Sequence, residues 1–281
     1  MTLYAPDVHV ETFGQGPRVV LVHGSVGNGS STWSAQRPLA ERFTLVVPDR
    51  PGSPPNPPVE RIDFEEQAPL VAELLADGAH LVGHSYGGVI SLYAAGLRPE
   101  AVRSLTVVEP PAFGVARGDP AVDRLVDELA ELWSAAGPTD PAVFLSEFSS
   151  RVIGREVAPE RELSPELEQG VRTLMVERPP SEADPPLDAL ASAPFPKLVV
   201  SGAHSAAFDA VCDVLEQRLG ADRAVLPGCP EDSGDSPAIE REVGDEEDGQ
   251  CERDDSRSRE HGRSAARNRP RRGQDPVHHE K

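Results

Sequence analysis

The 281-residue sequence predicts an α/β fold, a mostly parallel sheet with helices on both faces, a helical cap insertion and a disordered C-terminal tail. Three observations predict it. Apolar β-branched runs alternate with helical stripes over the first part of the chain. One of those runs enters a glycine-flanked serine turn. The stretch 112–193 loses the strand signal and instead shows three helix starts of one kind.

Strands are expected at 7–12, 18–22, 43–47, 79–82 and 104–108, with later ones at 197–201 and 223–226. The helix expected over 63–75 aligns Phe64, Ala68, Val71 and Leu75 on one face and turns Glu65, Glu66 and Glu73 to water, so it can pack on a sheet. Val89, Leu92, Tyr93 and Leu97 mark another helix immediately after the serine turn. Within 112–193, Asp119-Pro120, Asp140-Pro141 and Ser164-Pro165 each put a capping side chain before a first-turn proline. The three helices they open carry apolar faces of Val122, Leu125, Leu129 and Trp133, of Val143, Phe144 and Phe148, and of Leu167, Val171 and Leu174. After the strand 197–201, Ser205 reads as an N-cap, and the following helix buries Phe208, Val211, Cys212, Leu215 and Leu219 before stopping at Gly220.

The chemistry is carried by Gly83-His84-Ser85-Tyr86-Gly87, a G-x-S-x-G pattern directly after the apolar run 79–82. Such a turn holds the serine in a strained conformation above the sheet edge, and small residues at 83 and 87 let strand and helix approach closely. With LVHGS at 21–25, Trp33, VVPDRPG at 46–52, LVGHSYGG at 81–88 and KLVVSGAHS at 197–205 in this order, the chain resembles the α/β-hydrolase superfamily over 1–228. The resemblance implies a serine hydrolase of esterase-like type acting on a small acyl substrate through Ser85. It implies that the backbone N–H groups of Ser25 and Tyr86 form the oxyanion hole, and that the insertion 112–193 is a lid lining the substrate pocket.

The remaining parts of such a site are less complete. For the acid, the loop after 201 reads Gly202-Ala203-His204-Ser205, with no carboxylate. Glu109, ending the strand 104–108 and fixed by Pro110-Pro111, is favoured; Asp209, in the first turn of the helix that Ser205 opens, is the alternative and equally suits the helix dipole. His23 and His84 read as scaffold bonding to backbone. The base is the missing member. Relatives place a histidine on the loop after the last strand, where this chain reads Pro227-Gly228-Cys229-Pro230-Glu231, and none follows before His261. His204 and His261 are the stand-ins.

From 229 to 281 there is no Phe, Tyr, Trp, Leu or Met, and 15 acidic and 10 basic residues dominate. That composition cannot build a core, so a disordered charged tail is expected. Its two possible origins are a genuine interaction tail and an out-of-frame reading of a gene that left the hydrolase frame near Gly228, the second being favoured by where the change falls. A net charge of −20 argues against nucleic acid and anionic membranes as partners. The opening Met1-Thr2-Leu3-Tyr4-Ala5-Pro6-Asp7 carries no signal pattern, and the expectation is a cytoplasmic protein. Cys212, Cys229 and Cys251 follow neither metal-ligand nor disulfide spacing. No metal site or cofactor is implied, and oligomeric state stays open. Two functions stay open as well: a serine hydrolase, or a non-catalytic descendant that kept the pocket and lost the base.

Overall fold

The computed structural model describes residues 8–134 and 137–226. Seven strands form one sheet: β1 (Val10–Gly14), β2 (Arg18–Val22), β3 (Thr44–Pro48), β4 (Ala79–His84), β5 (Val102–Val108), β6 (Lys197–Ser201) and β7 (Asp222–Val225), in the order β1-β3-β2-β4-β5-β6-β7. Only β1 runs antiparallel to its neighbour; the other pairs are parallel, as the alternation of strand and helix requires.

Alternate residues of β2 enter different apolar clusters. Val20 and Val22 pack with the helices α2 (Phe64–Leu74) and α3 (Tyr86–Leu97), whereas Val19 and Leu21 pack with Trp33, Leu45 and Val47. Both faces of the sheet are therefore covered. Asp63 caps α2 by accepting from the Glu65 and Glu66 N–H groups. The helix α8 (Ala206–Leu219) packs on β6 and stops at Gly220 in the left-handed conformation. Ser205 stands at its N-cap position, but its hydroxyl makes no capping bond; only its carbonyl is used, by the Asp209 N–H.

Between β5 and β6 lie α4 (Pro120–Leu132), α5 (Pro141–Ile153), α6 (Pro165–Leu174) and the short α7 (Leu187–Ser192). Asp119, Asp140 and Ser164 cap the first three through their side chains, each with proline in the first turn. Their apolar faces meet in a second core of Leu132, Phe144, Leu145, Leu167, Val171 and Leu174. Trp133 sits edge-on to Phe144, with ring centroids 5.1 Å apart. This cap reaches the loop after β2: a Cβ on Gly170 would lie 1.8 Å from the Val26 carbonyl oxygen, so no larger residue permits the contact.

Some elements differ from expectation. β1 begins three residues later than expected and β5 two earlier, while α1 (Gly29–Thr32), the 3₁₀ segment Ser34–Glu41 and α7 carried no periodic signal. Cys212 is buried, and burial pushes its thiol up to about 12. The segment 229–281, with Cys229, Cys251 and His261, lies outside the described residues. No described helix is long and apolar enough to cross a membrane.

Candidate active site

The C-terminal ends of the central strands concentrate backbone strain. Among the described residues, five non-glycine residues have positive φ, and four of them lie within four residues of the ends of the central strands: Val26 after β2 (φ 69°), Ser85 after β4 (51°), Glu109 after β5 (46°) and Ala203 after β6 (55°). Such conformations cost about 1–3 kcal/mol each and persist where the surroundings impose them, which is characteristic of functional sites. Open parallel sheets also place ligands at this edge, where the strand order reverses, here between β2 and β4.

Ser85 is held from both sides. Its N–H donates to the Val108 carbonyl at 2.8 Å, and its own carbonyl accepts from Gly88 N–H at 2.8 Å as α3 begins. A Cβ on Gly87 would lie 2.3 Å from the His23 carbonyl oxygen, which explains the fixed glycine of the motif. Tyr86 is the first residue of α3, so its N–H is one of the unsatisfied donors at a helix N-terminus, where the dipole favours negative charge. Ser25, Ser85 and Tyr86 line one cavity of about 240 Å³, closed by Val126 and Leu129 of α4, Trp133 just after it, Phe148 of α5 and Phe208 of α8.

Glu109 is buried. Its N–H donates to the Val200 carbonyl, its Oε1 accepts from the Gly202 N–H at 2.7 Å, and the same oxygen lies 3.1 Å from His204 Nδ1. The His204 ring is tilted against Phe208, with centroids 6.0 Å apart. Asp209 points elsewhere: its Oδ1 accepts from the Ser201 hydroxyl at 2.8 Å and lies 3.6 Å from Arg223. The structure thus brings Glu109 together with His204, and Asp209 with the β6–β7 side of the sheet.

His23 has both ring nitrogens engaged, with Nδ1 2.8 Å from the Gly24 carbonyl oxygen and Nε2 accepting from the Arg50 N–H at 2.9 Å. Complete burial, with the Arg50 charge adding to it, lowers its pKa to about 3. It is a neutral brace, unable to take a proton from Ser85. The His84 ring packs edge-on to Trp33, with centroids 6.5 Å apart.

One part of the site carried no sequence signal. Glu177, following the cap helix α6, reaches Arg50 across 127 residues, at 2.7 Å with both side chains 3% exposed. Its second oxygen accepts from the Ser25 hydroxyl at 2.6 Å. Arg50 also donates to Gln67 and to the Gly24 carbonyl, and its guanidinium stacks 4.6 Å from the Tyr86 ring centre. Burial pushes the Glu177 carboxyl upward against the pull of Arg50. Ser25 and Tyr86 are thereby tied to a single buried ion pair that joins the cap to the sheet. The only available sequence clue to this pair was the charged dipeptide Asp49-Arg50 at a strand end; nothing local marked Glu177.

The model of the α/β hydrolase family matches residues 19–244. The chain belongs to that family. Among curated proteins, it is similar to the pimeloyl-[acyl-carrier protein] methyl ester esterase of Methylococcus capsulatus, 35% identical over 181 residues covering 62% of this chain and 65% of the relative. The protein of the same name from Chromobacterium violaceum is 37% identical over 102 residues, 36% of this chain and 40% of the relative. The matched region thus spans less than two thirds of these relatives. Among solved structures, an α/β hydrolase from Sphaerobacter thermophilus superposes with a TM-score of 0.56 at 25% identity, covering 78% of this chain and 87% of that one. A thermophilic esterase from Thermogutta terrifontis shares the fold, with a TM-score of 0.52 at 22% identity over 78% of this chain and 84% of that one. The hydrolase class rests on this membership.

Proposed function

We propose that the protein is a serine esterase that cleaves a small ester through an acyl-enzyme on Ser85. The observation that carries the reading is Ser85 at φ 51°, lining a cavity beside Ser25 and the N-terminus of α3. Ser85 Oγ attacks the ester carbonyl, and the Ser25 and Tyr86 N–H groups receive the developing oxyanion. Glu109 is the acid, and His204, whose Nδ1 lies 3.1 Å from the Glu109 carboxylate, is the base among the described residues. His204 takes the serine proton, returns it to the departing alcohol, and then activates the water that releases the acid. The esterase relatives support ester cleavage as the reaction.

A second reading is favoured by one observation: no histidine occurs from 205 to 260, the region that includes the loop after the last strand. On that reading the pocket binds ligands and Ser85 is silent. Turnover of 4-nitrophenyl butyrate separates the two. The esterase reading expects Ser85→Ala to abolish turnover, and Glu109→Gln and His204→Ala to lower kcat by about 10²–10⁴. A wild-type rate equal to that of Ser85→Ala establishes the silent pocket, and an undiminished His204→Ala removes that residue as base.

A further inference from the structure

The cavity over Ser85 has a charge pattern that its apolar bulk conceals. Its walls are Val126, Leu129, Trp133, Phe148, Val152 and Phe208, and its charged lining residues are Glu177 and Glu182, with no Lys, Arg or His among the described residues that line it. The nearby cations are committed to carboxylates: Arg50 to Glu177 at 2.7 Å, and Arg178 to Glu182 at 2.9 Å and Glu65 at 2.9 Å. A carboxylate carried into this space loses its hydration and meets, among the described residues, no cation that is not already paired with a glutamate. An uncharged chain loses nothing comparable and gains burial against aliphatic and aromatic walls. Size narrows the class further. A cavity of about 150 Å³ holds one benzene ring, so about 240 Å³ takes a ring with a short arm or an aliphatic chain of about six to ten carbons.

We propose that this cavity is an acyl pocket for uncharged, apolar acyl groups of that bulk, and that it excludes acyl groups ending in a second carboxylate. The inference rests on the reading of Ser85 as the acyl-accepting nucleophile. Ala130 provides a direct handle, because it is exposed on α4 yet lines the cavity, so a lysine there supplies a cation without disturbing the core.

The test is calorimetric titration of the full chain at pH 7.5 with octanamide and with suberic acid monoamide, the same chain ending in a carboxylate. Octanamide is expected to bind about 30-fold tighter or more in the wild type, and Ala130→Lys to bring the two within about threefold. Equal binding of the two by the wild type, no binding of octanamide, or an unchanged gap in a folded Ala130→Lys protein overturns the proposal. Neither amide needs turnover to bind. Octanamide binding to a protein whose Ser85 is inert refutes only the nucleophile reading, and a reactive Ser85 without the preference refutes only the pocket.

Discussion

Lowering the pH tests the buried brace beneath the candidate oxyanion hole. His23 holds the Gly24 carbonyl with one ring nitrogen and receives the Arg50 N–H with the other, and burial lowers its pKa from 6.5 to about 3. In the unfolded chain the imidazole takes a proton below about pH 6.5; in the folded protein it does not until about pH 3. The unfolded state therefore binds more protons across that window, and stability falls as pH falls. At about 1.4 kcal/mol per pH unit, His23 alone removes about 2.5 kcal/mol between pH 7 and pH 4.5. Glu177 and Asp49, whose carboxyls burial pushes upward, act in the opposite sense, since their folded forms take up protons at higher pH than their unfolded forms. A variant comparison isolates the histidine. His23→Gln keeps an acceptor for the Arg50 N–H and removes the titration. Urea unfolding followed by tryptophan fluorescence at several pH values between 7 and 4.5 should show the wild type losing about 2.5 kcal/mol more than the variant. Parallel curves, agreeing within about 0.5 kcal/mol, refute a neutral buried His23.

Other expectations follow from named contacts. Glu177→Leu leaves Arg50 charged and buried and should cost about 3–5 kcal/mol in urea unfolding, most of it recovered by adding Arg50→Met. Gly87→Ala forces a Cβ to 2.3 Å from the His23 carbonyl, and the resulting shift of Ser85 should slow its acylation by about 10²-fold at nearly unchanged secondary structure by circular dichroism. Asp119→Ala removes the cap on the Ala121 and Val122 N–H groups of α4, which should cost about 1 kcal/mol on thermal unfolding.

What the sequence disclosed and what it hid divide along range. The elbow, the parallel strands and the three cap-helix starts are local events, each written in a few neighbouring residues: Gly83 to Gly87, the β-branched run 18–22, and Asp-Pro or Ser-Pro pairs. α1 and α7 were illegible because four and six residues are too short to show a helical period. The Arg50–Glu177–Ser25 cluster was illegible for a different reason, since its members lie 127 and 152 residues apart and meet only when the cap folds onto the sheet. The choice between Glu109 and Asp209 also needed geometry. Both stand beside the same sheet edge, but Asp209 is engaged by Ser201 and Arg223, whereas Glu109 lies against His204.

A nucleophilic Ser85 would be seen by mass spectrometry as a fluorophosphonate adduct on the purified full-length chain, with Ser85→Ala as control. Stoichiometric labelling is expected at Ser85, none in Ser85→Ala, and a rate lowered by about 10²-fold or more in Glu109→Gln and His204→Ala. A folded wild type that takes up no label contradicts a nucleophilic Ser85.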